Sequence, residues 1–401
     1  MRVLIVIDNP FEMRNGRYYT FFSWPVFARN ISKYIDHATL WAPVRKISTD
    51  EPVAGAPFEP GRLEIIENYY YTKFLDYYLT YLYNCRRLNQ QAENLIRNHD
   101  VSLVRIPSPI APLIMKHSIQ LRKPFVLFAV GNIATSSSIL LMSKGVKRAI
   151  YQLLVKVINN QENKCARKAS LVYAYGEELA MRFRKFCPNV KIMQDGIISE
   201  KDIFLRNDTC TGNTIQLLRI CWLVPCKGLE YLFEAVRLLS DLNLPVRLKI
   251  IGKEMDQRYA AHLRKIVQEL GISNRVEFVG WIPHSDIFKA YRGSDIQVIS
   301  SIGEGIPRVI LEGAANGLPL VCTSVGGCPS VVHNGENGIL VPPRDPAALA
   351  EGIKLVIRDG KLRRKIILGG YEMAKRNSSE VICQQIVKDF NEIVKGKLYV
   401  V

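Results

Sequence analysis

Glu304-Gly305-Ile306-Pro307-Arg308-Val309-Ile310-Leu311-Glu312 sets two carboxylates with seven residues between them, after an apolar strand ending in Ser300-Ser301. Gly305 permits a close backbone approach, and Pro307 suits the first turn of a helix. The free backbone N–H groups of such a turn form a natural seat for a diphosphate. A carboxylate before the turn and another along the same helix accept hydrogen bonds from hydroxyls, as sugars and ribose present them. The spacing alone is common and reads equally well as a loop acid followed by a surface helix acid. What surrounds it decides.

Upstream and downstream, strand-like apolar runs alternate with helix-like periodic segments, the pattern of an α/β protein with parallel sheets. After residue 206 the expected strands are Gln216–Val224, Arg247–Gly252, Val276–Gly280, Ile296–Ser300 and Pro319–Thr323, with helices at Gly228–Ser240, Tyr259–Leu270, Ile287–Tyr291, Pro307–Asn316, Pro346–Val356 and Glu380–Val394. Before it, strands are expected at Val3–Ile7, Ala38–Trp41, Leu103–Ile106, Pro124–Val130 and Leu171–Tyr175, with helices around Trp24–Ile35, Lys73–Arg97 and Ile139–Ile158. The polar run Arg206–Thr214 lacks periodicity and reads as a linker and hinge. This gives an N-terminal domain at 1–205 and a C-terminal domain at 206–375. Ligands of such sheets bind at the carboxyl ends of the strands.

Composition narrows the field. With 401 residues, 48% of them hydrophobic, the chain is neither disordered nor a single small domain. Its formal charge of +17 points to anionic partners. Eleven basic residues against one acid, Glu162, fall in Val101–Val172. The nine cysteines are scattered and odd in number, so a reducing, cytoplasmic setting is expected rather than a disulfide framework. The opening MRVLIVID reads as a buried strand, too short for a signal peptide. HExxH, DxD and clustered Cys/His are missing, so no metal is expected.

Around the quoted stretch come Lys227-Gly228, then Val276-Glu277-Phe278-Val279-Gly280-Trp281, then Gly317-Leu318-Pro319-Leu320-Val321-Cys322-Thr323, Gly326-Gly327, Asn334-Gly335-Glu336-Asn337-Gly338-Ile339-Leu340-Val341 and Asp345. Their order and spacing resemble the C-terminal domain of the retaining, nucleotide-sugar-dependent glycosyltransferases of family four, over about Arg219 to Ile353. The resemblance implies a GT-B architecture, two Rossmann-like domains with parallel sheets facing an interdomain cleft, with a final helix in 376–401 crossing back to the first domain. It implies Glu304 and Lys227 as catalytic residues: Glu304 against the donor sugar, Lys227 neutralising the leaving diphosphate. Glu312 would hold the ribose hydroxyls. The backbone of Gly305, Ile306, Pro307 and Arg308 would line the sugar and phosphate site. Trp281 and Ile282 would lie near the base, and Gly16 near the diphosphate or the acceptor. The implied substrates are a nucleotide-sugar donor and a glycan or lipid-linked glycan acceptor, with retention of configuration and no metal or other cofactor.

Three positions depart from the family. Trp222 stands where an arginine is usual, Ser330 where a glutamate is usual, and the stretch Phe128-Ala129-Val130-Gly131-Asn132 lacks the histidine many members carry. They keep open an alternative, a catalytically weak GT-B protein that binds a nucleotide sugar or a partner transferase. In Ile139–Ile158, Val146, Ile150, Leu153 and Val157 line one face and Lys144, Lys147 and Arg148 lie opposite. Such a basic amphipathic helix, with its neighbours up to Lys168, suits either an ordinary half-buried position or an anionic membrane surface on the cytoplasmic side. The aromatic run Tyr69–Tyr83 suits helix core or sugar stacking. No helix-turn-helix, RRM or zinc-finger signature accompanies the charge, so no specific nucleic acid is expected.

Overall fold

The computed structural model describes residues 1–20, 22–53, 55–70, 74–131, 145–193, 196 and 198–396. The chain divides into two compact units, each α/β. The first takes in the chain up to residue 196, apart from a short stretch outside the described residues, and returns at Ser379. The second is Ile198–Ser378.

In the first unit the order is β1 (Arg2–Val6), β2 (Phe11–Arg14), β3 (Arg17–Thr20), α1 (Trp24–Ser32), β4 (His37–Lys46), β5 (Ala56–Phe58), β6 (Leu63–Asn68), α2 (Phe74–Arg97), β7 (Val101–Ile106), α3 (Ala111–Gln120), β8 (Phe125–Ala129), α4 (Gly145–Ala166), β9 (Leu171–Ala174), α5 (Glu177–Arg184) and β10 (Val190–Ile192). Strands β6-β4-β1-β7-β8-β9-β10 lie side by side and all run parallel. The continuous apolar runs of β1 and β8 follow from burial on both faces. The sequence reading missed β2 and β3. They form an antiparallel hairpin with Arg14 opposite Arg17, turning at Asn15 (φ 52°) and Gly16 (φ 74°). The Asn-Gly pair flanked by short strands was the available signal, since this turn needs positive φ at both positions.

The second unit runs β11 (Ile215–Ile220), α6 (Leu229–Asp241), β12 (Val246–Ile251), α7 (Gln257–Glu269), β13 (Val276–Gly280), α8 (His284–Arg292), β14 (Ile296–Ile299), α9 (Val309–Ala315), β15 (Leu320–Thr323), β16 (Ile339–Val341), α10 (Pro346–Arg358) and α11 (Gly360–Arg376). Its six parallel strands are ordered β13-β12-β11-β14-β15-β16. The order reverses between β11 and β14, which opens a crevice at their carboxyl ends. Leu217, Leu229, Leu232, Phe233, Leu248 and Val298 are fully buried between sheet and helices. Each contributes roughly 1.5–3 kcal/mol by leaving water. Asp345 starts α10, its carboxylate accepting the Ala348 N–H at 2.9 Å ahead of Pro346 in the first turn.

The expected linker at Arg206–Thr214 is corrected. Polarity there reflects fastening to the second unit. The Phe204 N–H donates to the Ala315 carbonyl at 2.8 Å. Arg206 donates to the carbonyls of Asn316, Ser294 and Tyr291 at 2.8–2.9 Å. Asp208 pairs with Arg363 and Arg364 at 2.6 and 3.0 Å. The last helix, α12 (Ser379–Val394), packs in the first unit. There its buried Asp389 accepts from Tyr173 at 2.7 Å and Lys191 at 2.6 Å. No helix among the described residues is long and apolar enough to cross a membrane.

Candidate active site

The crevice of the second unit is built by backbone fitting. At the end of β12, a Cβ on Gly252 would fall 1.7 Å from the Cys221 carbonyl, so only glycine lets the chain leaving β11 pass. The chain then makes a 3-10 turn, Pro225–Lys227, and enters α6 through Gly228 at φ 57°. A Cβ there would lie 2.3 Å from the Ser300 carbonyl. The Ser300 hydroxyl donates to the Lys227 carbonyl at 2.9 Å, and the Ile302 N–H donates to Cys226 at the same distance. These contacts tie the lysine-bearing turn to the end of β14.

Lys227 and Glu304 meet as a result. The ammonium Nζ is 2.5 Å from Glu304 Oε1, and the Ser301 hydroxyl donates to the same oxygen at 2.8 Å. Arg219, near the end of β11, donates from Nη2 to Ser301 Oγ at 2.7 Å. Below, the Gly326-Gly327 turn supports the Glu304–Ile306 backbone. Gly326 sits at φ 52° with its Cβ direction 1.7 Å from the Glu304 carbonyl, and the Gly327 N–H donates to Gly305 at 2.9 Å. Ser330 turns its hydroxyl back onto the Gly327 carbonyl at 2.6 Å.

A cavity of about 350 Å³ opens here, within the second unit. Six of the expected site residues line it: Lys227, Glu304, Pro307, Arg308, Trp281 and Ile282. Trp222 and Trp281 stand at it largely exposed, at 54% and 65%. Arg219 also lines it, and sequence reasoning missed this residue. The available signal was a lone arginine inside the apolar run Leu217–Ile220.

The remaining expected residues lie elsewhere. Gly305 and Ile306 do not line the cavity. Ile306 is buried under Gly327. Glu312 is buried on α9, with Oε2 accepting from the Tyr291 hydroxyl at 2.8 Å. Burial, and then the charge of Glu312, push the Tyr291 phenol well above its usual range, so it stays a donor. Gly16 belongs to the first unit, at the tip of the β2–β3 hairpin. The expected helix over Pro307–Asn316 is shorter, Val309–Ala315. Asn132, and the part of the 139–158 helix before Gly145, lie outside the described residues, as do the side chains of 71–83. Among the described residues no group of three or more His, Cys, Asp or Glu is placed to hold a metal.

Chemically the arrangement is a crevice lined by the cations Arg219, Lys227 and Arg308, two tryptophans and aliphatic side chains, with one carboxylate, Glu304, held at its wall. Two parallel α/β units of this kind define the GT-B architecture. Anabaena HepE, solved in complex with UDP and glucose, superposes at TM-score 0.71 over 98% of this chain and 100% of its own, at 19% identity. Sucrose-phosphate synthase from Thermosynechococcus elongatus gives 0.71 over 98% and 99%, at 17%. Residues 212–373, within the second unit, match the family model of glycosyl transferases group 1. Over 178 residues the chain is 29% identical to D-inositol 3-phosphate glycosyltransferase of Corynebacterium glutamicum, 44% of this chain and 43% of that protein. Over 146 residues it is 36% identical to the lipopolysaccharide core biosynthesis glycosyltransferase LpsE of Rhizobium meliloti, 36% of this chain and 40% of that one. The chain thus spans less than half the length of these two curated relatives.

Proposed function

We infer that the protein is a glycosyltransferase that moves a sugar from a nucleoside-diphosphate sugar to a hydroxyl of a glycan or lipid-linked glycan, with retention of configuration, in cell-surface polysaccharide assembly on the cytoplasmic side. The observation that carries this reading is the Lys227–Glu304 pair, held at the carboxyl ends of β11 and β14 where the strand order reverses. As the sugar–phosphate bond lengthens, negative charge grows on the diphosphate and positive charge on the sugar. Lys227 meets the first, and Glu304 faces the sugar hydroxyls. For retention the acceptor hydroxyl attacks from the side of the leaving group. The departing phosphate oxygen then takes its proton, and no protein base is required. HepE with UDP and UDP-glucose, and the lipopolysaccharide role named for LpsE, support the substrate classes.

Helix α4 supports docking to an anionic lipid surface. Its buried side carries Val155, Ile158 and Cys165. Leu153 and Val157, expected along one apolar face, are 64% and 44% exposed beside exposed Arg148, Lys156 and Lys164. An outward face with apolar residues, basic residues and no acid fits that surface.

The exposed Trp222, in place of an arginine, favours the second reading, a catalytically weak binder of nucleotide sugars. Transfer or hydrolysis of a donor panel by wild type and Glu304→Ala separates the two. The enzyme reading expects turnover that this variant loses. No turnover with any donor, despite donor binding, selects the binder.

A further inference from the structure

Arg219 is the most buried cation of the cavity, only 1% exposed, on a strand whose neighbours form the core. Among the described residues no carboxylate lies within ion-pair distance of it, and its Nε has no hydrogen-bond partner. Among the described residues its one protein acceptor is Ser301 Oγ, at 2.7 Å. Ser301 is itself fully buried, and its carbonyl is fixed by the Thr323 hydroxyl at 2.6 Å.

The direction of the chain of hydrogen bonds follows from chemistry. A guanidinium can only donate, so Ser301 Oγ accepts from Arg219. The one proton of Ser301 then goes to Glu304 Oε1, at 2.8 Å. Lys227 reaches the same oxygen from the cavity side, at 2.5 Å. The Glu304 carboxylate is therefore held from two sides. One holder is a lysine on a flexible stem at the ligand space; the other is a buried arginine acting through a buried hydroxyl. An incoming diphosphate draws on Lys227. It cannot draw on Arg219 in the same way, because Arg219 has almost no accessible surface.

The geometry points to Arg219 and Ser301 as a positioning relay that keeps the Glu304 carboxylate in place when Lys227 turns to the leaving diphosphate. This rests on the donor-site reading given above. Neither residue touches substrate; both act through Glu304. A buried cation without its own anion is costly unless its donors are used, and Glu304, one hydroxyl away, is the charge that offsets it. The relay also gives the site another cation where Trp222 stands in place of an arginine. The second cation stands behind the carboxylate, three residues earlier in the chain.

The test uses the whole chain and three pairs of probes by titration calorimetry, UDP-glucose with UDP, GDP-mannose with GDP, and ADP-glucose with ADP, together with turnover of the sugar nucleotide that binds. Ser301→Ala removes the shared hydroxyl. Affinity for the nucleoside diphosphate is expected to stay within about twofold, while affinity for the sugar nucleotide, or kcat, falls by about tenfold, the scale of one hydrogen bond to a charged group. Ser301→Thr restores both. Arg219→Met gives the same selective loss, and the double variant is no worse than Ser301→Ala, because both residues act through one hydroxyl. A purely structural role would lower the melting temperature and weaken both ligands of a pair alike, and that result overturns the relay. So does a Ser301→Ala protein indistinguishable from wild type, or fully additive losses in the double variant. Should Arg219→Met fail to fold, the Ser301→Ala and Ser301→Thr comparison decides alone. A wild type that binds none of the six probes defeats the donor-site reading itself and the relay with it. Wild-type binding with an unaffected Ser301→Ala defeats only the relay.

Discussion

Lys227 at 2.5 Å from Glu304 makes the two groups hold each other in the free protein. Removing Glu304 takes away the carboxylate that Lys227 pairs with, while removing Lys227 still leaves Glu304 the Ser301 hydroxyl. Lys227→Ala is expected to weaken nucleoside-diphosphate binding by about tenfold, the value of one charge-assisted contact, measured by calorimetry. Trp222→Arg should act in the opposite direction. It adds a cation at the cavity, and a tighter diphosphate affinity that falls again with salt is the expected result. An unchanged affinity would place position 222 outside the phosphate site. That Glu304, Lys227, Pro307, Arg308, Trp281 and Ile282 gather around one cavity was legible in the sequence, because each sits in a run of motif residues whose order is informative. Arg219 and Ser301 were not. Their roles depend on which way a strand residue points and on a partner 82 positions away, and no local pattern carries that.

Among the elements, the Gly326-Gly327 turn shapes the site most. A methyl group at Gly326 would lie 1.7 Å from the Glu304 carbonyl, and its φ of 52° disfavours any side chain. Gly326→Ala is expected to displace the Glu304 loop and abolish donor-dependent stabilisation while circular dichroism stays close to that of wild type. Arg206–Thr214 was read as a linker because it is polar, and polarity alone does not tell a solvated strap from one bonded to a core. Asp208 carries the difference. Burial raises its carboxyl, but hydrogen bonds from Arg363, the Thr209 N–H and Arg364 outweigh that and hold it below the ordinary 3.8. A depressed carboxyl stabilises the fold above its unfolded value, and that contribution is lost as pH falls through the folded one. Asp208→Asn should therefore cost about 1 kcal/mol at pH 7 in urea unfolding, with the gap to wild type closing as pH drops below 3.8. A gap independent of pH would remove the carboxylate from the account. The alternation of strands and helices was legible in outline, but β5, β6, β10, β16, α3 and α5 went unread. The β2–β3 hairpin and α11 were missed, the first because its strands are only four residues long.

For the molecule as a whole, charge and chemistry fall in different units. The basic excess lies in Val101–Val172, in the first unit, and the Lys227–Glu304 pair lies in the second. Composition showed the excess but not its orientation, which needed the burial of Val155 and Ile158 to reveal Leu153 and Val157 as outward. A Leu153→Asp and Lys156→Glu double variant should lose sedimentation with anionic vesicles and keep the response to nucleotide sugars. Equal binding of wild type and variant would argue against the α4 face. The central claim is the donor site, and thermal denaturation of wild type and Lys227→Ala with UDP-, GDP- and ADP-sugars tests it most directly. At a ligand concentration of about 100 times Kd, one donor class should stabilise the wild type by about 2.7 kcal/mol, a rise of several degrees in melting temperature, and the variant much less. No shift of the wild type with any donor, or an equal shift in both proteins, would contradict it.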